Sequence, residues 1–546
     1  MLRQTRQFLL PLTAILLVIG AVQYYVTPSS EPFFNNDETR HVMTGVYVHD
    51  FLRDLPLSRP KDHVVAYYLQ YPALGLLVWP PCFYVIEGLA MSVFGTSFEV
   101  GRGLIALFGV VGLAYFFALV RRLRSPRDAA LATLLLALCP LVFLFSHQVM
   151  LEVPMLALML AAIFHFQRYL EEAHRLDLFL TSVASALAAL TRYDAVVLLP
   201  FFAILIIARR RLDLLRRLDV LLAVALALAL TAPYYVLAFY YYRTGLYSAA
   251  IEGVDSSGGG FLKLANLSFY LTVLPEQVSW FLLVPATLGL VAATVQPEHR
   301  RRSWTILALF IATYVTFTPL AELEARHALA WVPAIVVFAV DGLGLLAGRV
   351  RSPVVWILLA TVMVGGTAWT ALHLPACFVR GYEDAARHVV SNTQEAPIFL
   401  FDGAFGGNFI LQVRRHDVGR KCTVLRADHV LYRSLNESGS LYEEYAETEQ
   451  KMLDLIEKLA PDHLVVETPR AAPDSPASQK LRATLDAHPD RFQRERTIPI
   501  LTNVPCLRGV VLQIYRNLDR TSHARRHRFI GMPSIGRSLE TGLPGL

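Results

Sequence analysis

Long apolar runs recur along the first 375 positions, each closed by a short polar stretch, and beyond them the runs become brief and regularly broken. A helix needs about 20 apolar residues to cross the roughly 30 Å hydrocarbon core of a bilayer. On that measure spans are expected at 8–27, 101–120, 129–146, 153–170, 176–191, 194–208, 218–242, 279–296, 303–319, 328–347 and 353–373, about eleven in all. The first carries no charge and is followed by no clear small-residue cleavage site, so it reads as an uncleaved anchor. The apolar segment 80–96, PPCFYVIEGLAMSVFGT, is expected to lie on the outer face as an interfacial helix. Were it to cross, every basic cluster downstream would change sides.

After about residue 375 the pattern shifts to alternating helix and strand. GYEDAARHVVSN has apolar positions three and four apart and predicts a helix, and PIFLFD predicts a buried strand. A helix over 440–460, a strand HLVVE at 463–467, a helix near 478–487 and strands near 491–500 and 509–516 follow. That order predicts a small α/β domain with a largely parallel sheet. The stretch FDGAFGGNF (401–409) lacks the spacing of dinucleotide and P-loop signatures and reads as a turn at the end of a strand. The domains expected are 1–375 in the membrane, 376–516 as the α/β domain and 517–546 as a basic, disordered tail rich in Gly and Pro.

Composition agrees with the pattern. Hydrophobic residues make up 55% of the 546 and charged ones 17%, with a mean hydropathy of +0.44, which excludes a soluble globular protein of this length. The net charge of +6 does not point to nucleic acid, because the Arg residues sit in clusters between apolar runs. RRLRSPR (121–127), RYLEEAHR (168–175), RRRLDLLRR (209–217), EHRRR (298–302) and GRVRS (348–352) all land on the cytoplasmic side if the N-terminus is cytoplasmic. The α/β domain is then extracytoplasmic, and the chain is a multi-pass protein of the inner (plasma) membrane. Cys422 and Cys506 fall in the late polar part. They could form a disulfide in an oxidising compartment, though free thiols or small buried hydrophobes are the simpler reading.

The same parity gathers five polar connections on the outer face. The first contains FFNNDETRHVMTG (33–45), with Asp37 and Glu38 side by side and His41 one turn on. The others bring His147, Glu152, Arg192, Asp194, Arg243, Lys263, Glu322, Glu324, Arg326 and His327. Asp37 and Glu38 read either as catalytic carboxylates or as a helix cap, since NNDE is good capping chemistry. Arg192 and Asp194 could pair with one another, and Arg102 could be a snorkelling residue at a span end.

The chain resembles the GT-C membrane glycosyltransferases, in particular the bacterial protein O-mannosyltransferase-like and ArnT-like members. The likeness lies in the Asp37-Glu38 pair after the first span, in WPPCFYVIEGLAMSVFGTSFEVGR (79–102), in LAALTRYDAVVLLP (187–200) and in ARHALAWVPA (325–334), and covers roughly residues 10–375. Trp79 stands where relatives often carry Lys or His, and Glu152 where an Asp is common. The resemblance implies transfer of a sugar from a polyprenyl-phosphate carrier to an acceptor hydroxyl on a glycolipid, polysaccharide or protein at the outer face, with inversion. Asp37 would act as general base with Glu38 beside it. Arg102, Arg192 and Arg326, with Arg243 and Lys263 behind them, would stabilise the leaving phosphate. His41, His147, Glu152, Asp194 and His327 would support the site; of these acids and histidines, Glu152, Asp194 and His41 together with Glu38 could orient the base or hold a divalent cation. The rival classes are a transporter or lipid flippase, which would place ionisable residues near mid-bilayer, and a membrane scaffold.

Overall fold

The computed structural model describes residues 20, 36–247, 264–320, 323–350, 352–374, 377–393, 396–434, 442–469, 474–519, 527–532 and 537–542. The anchor expected at 8–27, Gly20 apart, and Lys263 fall outside them. The chain forms two compact units. One contains Leu77–Phe83 and Gly101–Ala376, and the other Pro28–Leu76, Tyr84–Val100 and Cys377–Leu546.

The first unit is helical. Among the described residues five helices are long and apolar enough to cross a membrane, by length and composition: Phe98–Leu123, Glu152–Glu172, Leu218–Tyr241, Ala325–Arg349 and Pro353–Leu372. Expected spans at 101–120, 153–170, 218–242, 328–347 and 353–373 lie on them. Those at 194–208, 279–296 and 303–319 fall on the shorter apolar helices Tyr193–Ala208, Trp280–Val295 and Ser303–Phe317. The segment 80–96 is the helix Cys82–Phe94 of 13 residues, about 20 Å at 1.5 Å per residue and too short to cross. The expected span at 129–146 is not one helix. Pro140 opens a second helix, Pro140–Phe145, and forces Cys139 before it into an extended conformation (ψ 129°) that ends Pro126–Leu138.

Two glycines allow the tightest crossing in this unit. A Cβ on Gly289 would stand 1.9 Å from the Phe338 carbonyl oxygen, and one on Gly342 would stand 1.9 Å from that of Pro285. Helices Trp280–Val295 and Val332–Val350 therefore touch backbone to backbone, the small-residue packing that lets membrane helices associate without a hydrophobic driving force. Gly342→Val is expected to cost at least about 1–3 kcal/mol by overpacking, read as a lower melting temperature of the protein in detergent; an unchanged melting curve would refute the close crossing. At another point Arg124 bridges three helices, donating from Nε to Asp341 Oδ1 (2.6 Å) and from Nη2 to Asp341 Oδ2 and Ser303 Oγ (both 2.7 Å).

The second unit is built on a five-stranded sheet. Its strands are β1 (Ile398–Asp402), β2 (Thr423–Arg426), β3 (His463–Thr468), β4 (Phe492–Pro499) and β5 (Val511–Asn517), in the order β2-β1-β3-β5-β4. β1 pairs in parallel with β2 and β3, which aligns the buried Leu400, Leu425 and Leu464 in one row. β5 runs antiparallel to both β3 and β4. The sheet is thus mixed rather than largely parallel, because no crossover helix joins β4 to β5. The expected helices appear at Tyr382–Ser391 and Pro476–Ala487. The helix expected over 440–460 spans only Glu449–Leu459, where Thr448 caps it by accepting from Lys451 N, while Tyr442–Glu444 pairs as a strand with Tyr432–Ser434. In the tail expected to be disordered, His527–Met532 and Arg537–Gly542 pair as an antiparallel hairpin.

Residues far earlier in the chain complete this unit's core. Leu69, from the helix Pro60–Gln70, packs in the same apolar cluster as Leu400, Leu425, Ile456 and Leu481, with Val65 and Tyr68 against it. Cys422 is a free, buried thiol, and the side chain of Cys506 lies outside the described residues. His429 is buried beside Arg426, Asp428 and Arg40, and burial first, then Arg426, pushes its imidazole down to about 4. The unfolded chain, at about 6.5, binds that proton more readily than the folded one. Stability of this unit should therefore fall as pH drops from about 6.5 towards 4, and His429→Gln should flatten that part of a melting-temperature profile. An identical profile for the variant would show that another group carries the dependence.

Candidate active site

In the second unit the helix Asn36–Asp54 places Asp37 and Glu38 in its first turn, where the helix dipole favours carboxylates. Adjacent residues on a helix point about 100° apart, and the two acids have different surroundings. Glu38 is buried, whereas the Asp37 side chain keeps 20% of its surface exposed and lies 3.6 Å from Arg40 one turn on. His41 is buried, with Nδ1 2.7 Å from the Tyr84 hydroxyl and the two rings stacked. One turn past Tyr84, the carboxyl of Glu87 is fully buried against Gly45, where a Cβ would meet Glu87 Oε2 at 2.3 Å. Thr44 Oγ1 donates to the Arg40 carbonyl (2.6 Å) and accepts from Gly75 N (2.8 Å). The acid pair thus stands at the end of a helix whose inner face is packed against buried polar groups.

In the first unit three turns distant in sequence meet in one ionic cluster. Glu152 opens the helix Glu152–Glu172, Arg192 and Asp194 follow the helix Arg175–Ala189, and Arg326 and His327 lie in the 3-10 turn Ala325–Trp331. Arg192 is buried between two carboxylates, with Nη1 2.9 Å from Glu152 Oε1 and Nε 2.5 Å from Asp194 Oδ2. Arg326 Nη1 is 3.7 Å from the same Glu152 oxygen, and its Nε pairs with Glu324. His327 Nδ1 is 3.4 Å from Asp194 Oδ1. The turn that carries Arg326 and His327 is pinned from inside: Gln277, fully buried, donates to the Ala325 carbonyl (2.6 Å) and accepts from Trp331 Nε1 (2.7 Å). The cluster has two full cations, Arg192 and Arg326, against Glu152, Asp194 and Glu324.

Of the residues singled out in the sequence, Glu152, Arg192, Asp194, Arg326 and His327 come together here, and Asp37, Glu38 and His41 share a helix end. His147 is turned back on its own helix, its Nδ1 2.6 Å from the Phe143 carbonyl oxygen. Arg102 is half-buried in Phe98–Leu123. Arg243 lies in the helix Leu218–Tyr247, and its side chain is outside the described residues, as is all of Lys263. Sequence reasoning gave no role to Glu324, Tyr84 or Glu87. The signal for the last was a lone carboxylate inside the apolar run CFYVIEGLAMSVF. The nucleotide-loop alternative at 401–409 has a structural answer: the helix Gly406–His416 follows the turn, and Glu467 takes the amides of Ala404 (2.8 Å) and Phe405 (3.5 Å) that a phosphate would need.

Residues 79–237 match the family described as dolichyl-phosphate-mannose-protein mannosyltransferase. No curated protein sequence matches the chain significantly. Among solved structures, ArnT from Cupriavidus metallidurans bound to undecaprenyl phosphate superposes with a TM-score of 0.61 at 14% identity, over 91% of this chain and 99% of that one. The Archaeoglobus fulgidus oligosaccharyltransferase in its apo form gives a TM-score of 0.54 at 13% identity, over 83% of this chain and 69% of that one. The archaeal oligosaccharyltransferase AglB from Archaeoglobus fulgidus, in complex with an inhibitory peptide and a dolichol-phosphate, gives 0.54 at 14% identity, over 84% of this chain and 69% of that one. The chain resembles the GT-C membrane glycosyltransferases of the ArnT-like and protein-mannosyltransferase-like kind, and it has their fold.

Proposed function

We propose that this protein is a membrane glycosyltransferase that moves a sugar from a polyprenyl-phosphate donor to an acceptor hydroxyl at the outer face of the inner membrane. The observation that carries this reading is the ionic cluster of Glu152, Arg192, Asp194, Arg326 and His327, which gathers two guanidiniums from sequence-distant turns in a fold whose solved relatives include one bound to undecaprenyl phosphate and one with a dolichol-phosphate. The donor's isoprenoid tail requires a lipid-facing enzyme, and its phosphate requires fixed cations.

Within this reading the two arginines divide the work. Arg326, partly exposed and only loosely paired with Glu152, takes the leaving phosphate through the planar fork that suits phosphate oxygens. Arg192, enclosed by two carboxylates, holds the cluster's shape and adds its charge at a distance. As the carrier phosphate leaves, negative charge grows on its oxygen, and preorganised cations stabilise that transition state more than the ground state. Asp37 accepts the acceptor hydroxyl's proton as that oxygen attacks the anomeric carbon, and in-line attack inverts the configuration. Glu38 and His41, both buried, fix the helix end that presents Asp37. The acceptor is a glycolipid, a polysaccharide or a protein hydroxyl.

The test incubates purified protein in lipid with a panel of polyprenyl-phosphate sugars and follows donor consumption. Turnover of one donor supports transfer. Carrier movement across the bilayer with every donor intact would instead identify a flippase, and neither would leave a scaffold.

A further inference from the structure

The helix that bears the acid pair is fastened at its other end to the α/β sheet domain. Asp50 lies on its last turns, fully buried, and its carboxylate receives a bidentate fork: Arg414 Nη2 stands 2.7 Å from both oxygens, and Nε 3.1 Å from Oδ2. Tyr67 donates its hydroxyl to the same Oδ2 (2.7 Å). Arg414 belongs to the helix Gly406–His416, which follows strand β1, so the fork ties the acid helix to the sheet. Around it Tyr71 donates to Asp417 Oδ2 (2.7 Å), which also accepts from the Cys422 amide (2.6 Å), and Gln70 donates to the Arg420 carbonyl (2.5 Å). Arg414, Tyr67, Tyr71 and Asp417 are all buried. By contrast the neighbouring Arg420–Asp54 pair is partly open to solvent.

Nothing in the transfer chemistry needs an ion pair here, and a buried pair is a poor means of stabilising a fold, since desolvation offsets most of its attraction. What a bidentate fork does well is admit one geometry. We propose that Arg414 and Asp50 are positioning residues for transfer, a buried clamp through which the C-terminal α/β domain sets the direction of the helix that presents Asp37. This rests on the reading of Asp37 as the base. The lever is long: the thirteen residues from Asp50 to Asp37 rise about 20 Å along the helix, so a tilt of about 5° at the clamp moves the carboxylate by about 1.7 Å. A misplacement of about 1 Å can cost ~10²-fold in rate. Nearer the acid pair, His41 meets Tyr84, Gly45 packs on Glu87 and Thr44 accepts from the Gly75 amide, so the fork at Asp50 and these contacts fix the helix at separate points along its length.

The experiment uses the full chain in lipid nanodiscs, with Arg414→Gln, Arg414→Lys, Asp54→Ala and Asp37→Asn compared with wild type. Two readouts are taken: hydrogen exchange of the amides at 36–46, which needs no ligand, and steady-state kinetics with an undecaprenyl-phosphate hexose that the wild type consumes. Arg414→Gln should speed exchange at 36–46 and lower kcat ~10–100-fold, with KM for the donor changed less than about threefold. Arg414→Lys, which keeps the charge and loses the fork, should fall between, and Asp54→Ala should match wild type in both. Wild-type exchange and kcat in Arg414→Gln would overturn the clamp; so would equal losses in kcat and donor affinity, the mark of a general loss of structure. If Arg414→Gln does not fold, Arg414→Lys decides by the same split. If Asp37→Asn turns over normally, the base assignment fails, and exchange at 36–46 still reads the clamp by itself.

Discussion

Asp37→Asn should lower transfer by ~10²–10⁴-fold, the usual contribution of a positioned general base, while leaving donor binding and folding close to wild type. Folding is expected to survive because Asp37 is partly exposed and its pairing with Arg40 at 3.6 Å is a loose contact near the surface, worth about 0–1 kcal/mol. Its favourable place at the helix N-terminus adds about as much again. Donor binding should survive because the phosphate is assigned to arginines, not to this carboxylate. Glu38→Gln, at a buried position one residue on, is the informative control. It changes the same charge by the same amount at a residue assigned to hold the helix end, and a loss far larger for Asp37→Asn than for Glu38→Gln separates a reacting carboxylate from a merely acidic helix end. Single-turnover transfer and donor affinity, measured for both variants, decide it. Asp37→Asn with wild-type turnover would remove the base from the mechanism.

The second large effect should appear in stability. Arg192→Gln removes the cation between Glu152 and Asp194 and leaves two carboxylates in a buried place, which typically costs about 3–5 kcal/mol. The variant should melt far earlier than wild type in detergent, and adding Glu152→Gln, which removes one orphaned charge, should restore part of the loss. Arg326→Gln should behave differently, because Arg326 is more open and holds Glu152 only at 3.7 Å. Its folding should be near normal and its KM for the donor raised. Wild-type melting for Arg192→Gln with a raised KM would exchange the two roles and make Arg192 the phosphate ligand.

The parts of the fold legible in the sequence were those set by local pattern. Apolar length marked the membrane helices, and the strands PIFLFD and HLVVE and the helix within GYEDAARHVVSN follow directly from their periods. Misplaced boundaries trace to single residues. Pro140 cuts one apolar run in two, and Thr448, a good N-cap residue, starts its helix nine residues later than periodicity alone suggests. The mixed sheet was not legible because strand direction depends on the connection between β4 and β5, which carries no crossover helix, only a 3-10 turn at Pro505–Leu507. At the candidate site the charged residues of the turns stood out by type and position, and the pairing of Arg192 with Asp194 follows from their spacing. The convergence of Glu152 and Arg326 on the same cluster is a tertiary fact. So is the packing of Leu69 and Asp50 with residues more than 300 positions later.

That last feature has a consequence for biosynthesis. Asp50, Tyr67 and Leu69 emerge from the ribosome early, but their partners in the second unit begin at Cys377, about 300 residues on. At roughly 5–20 residues per second they wait about 15–60 s with Tyr67 on the Asp50 carboxylate but without the Arg414 guanidinium that neutralises it. The first loop can mature only once the sheet domain has been made, so a truncation between Cys377 and strand β5 should disable the Asp37 helix as surely as the domain it removes.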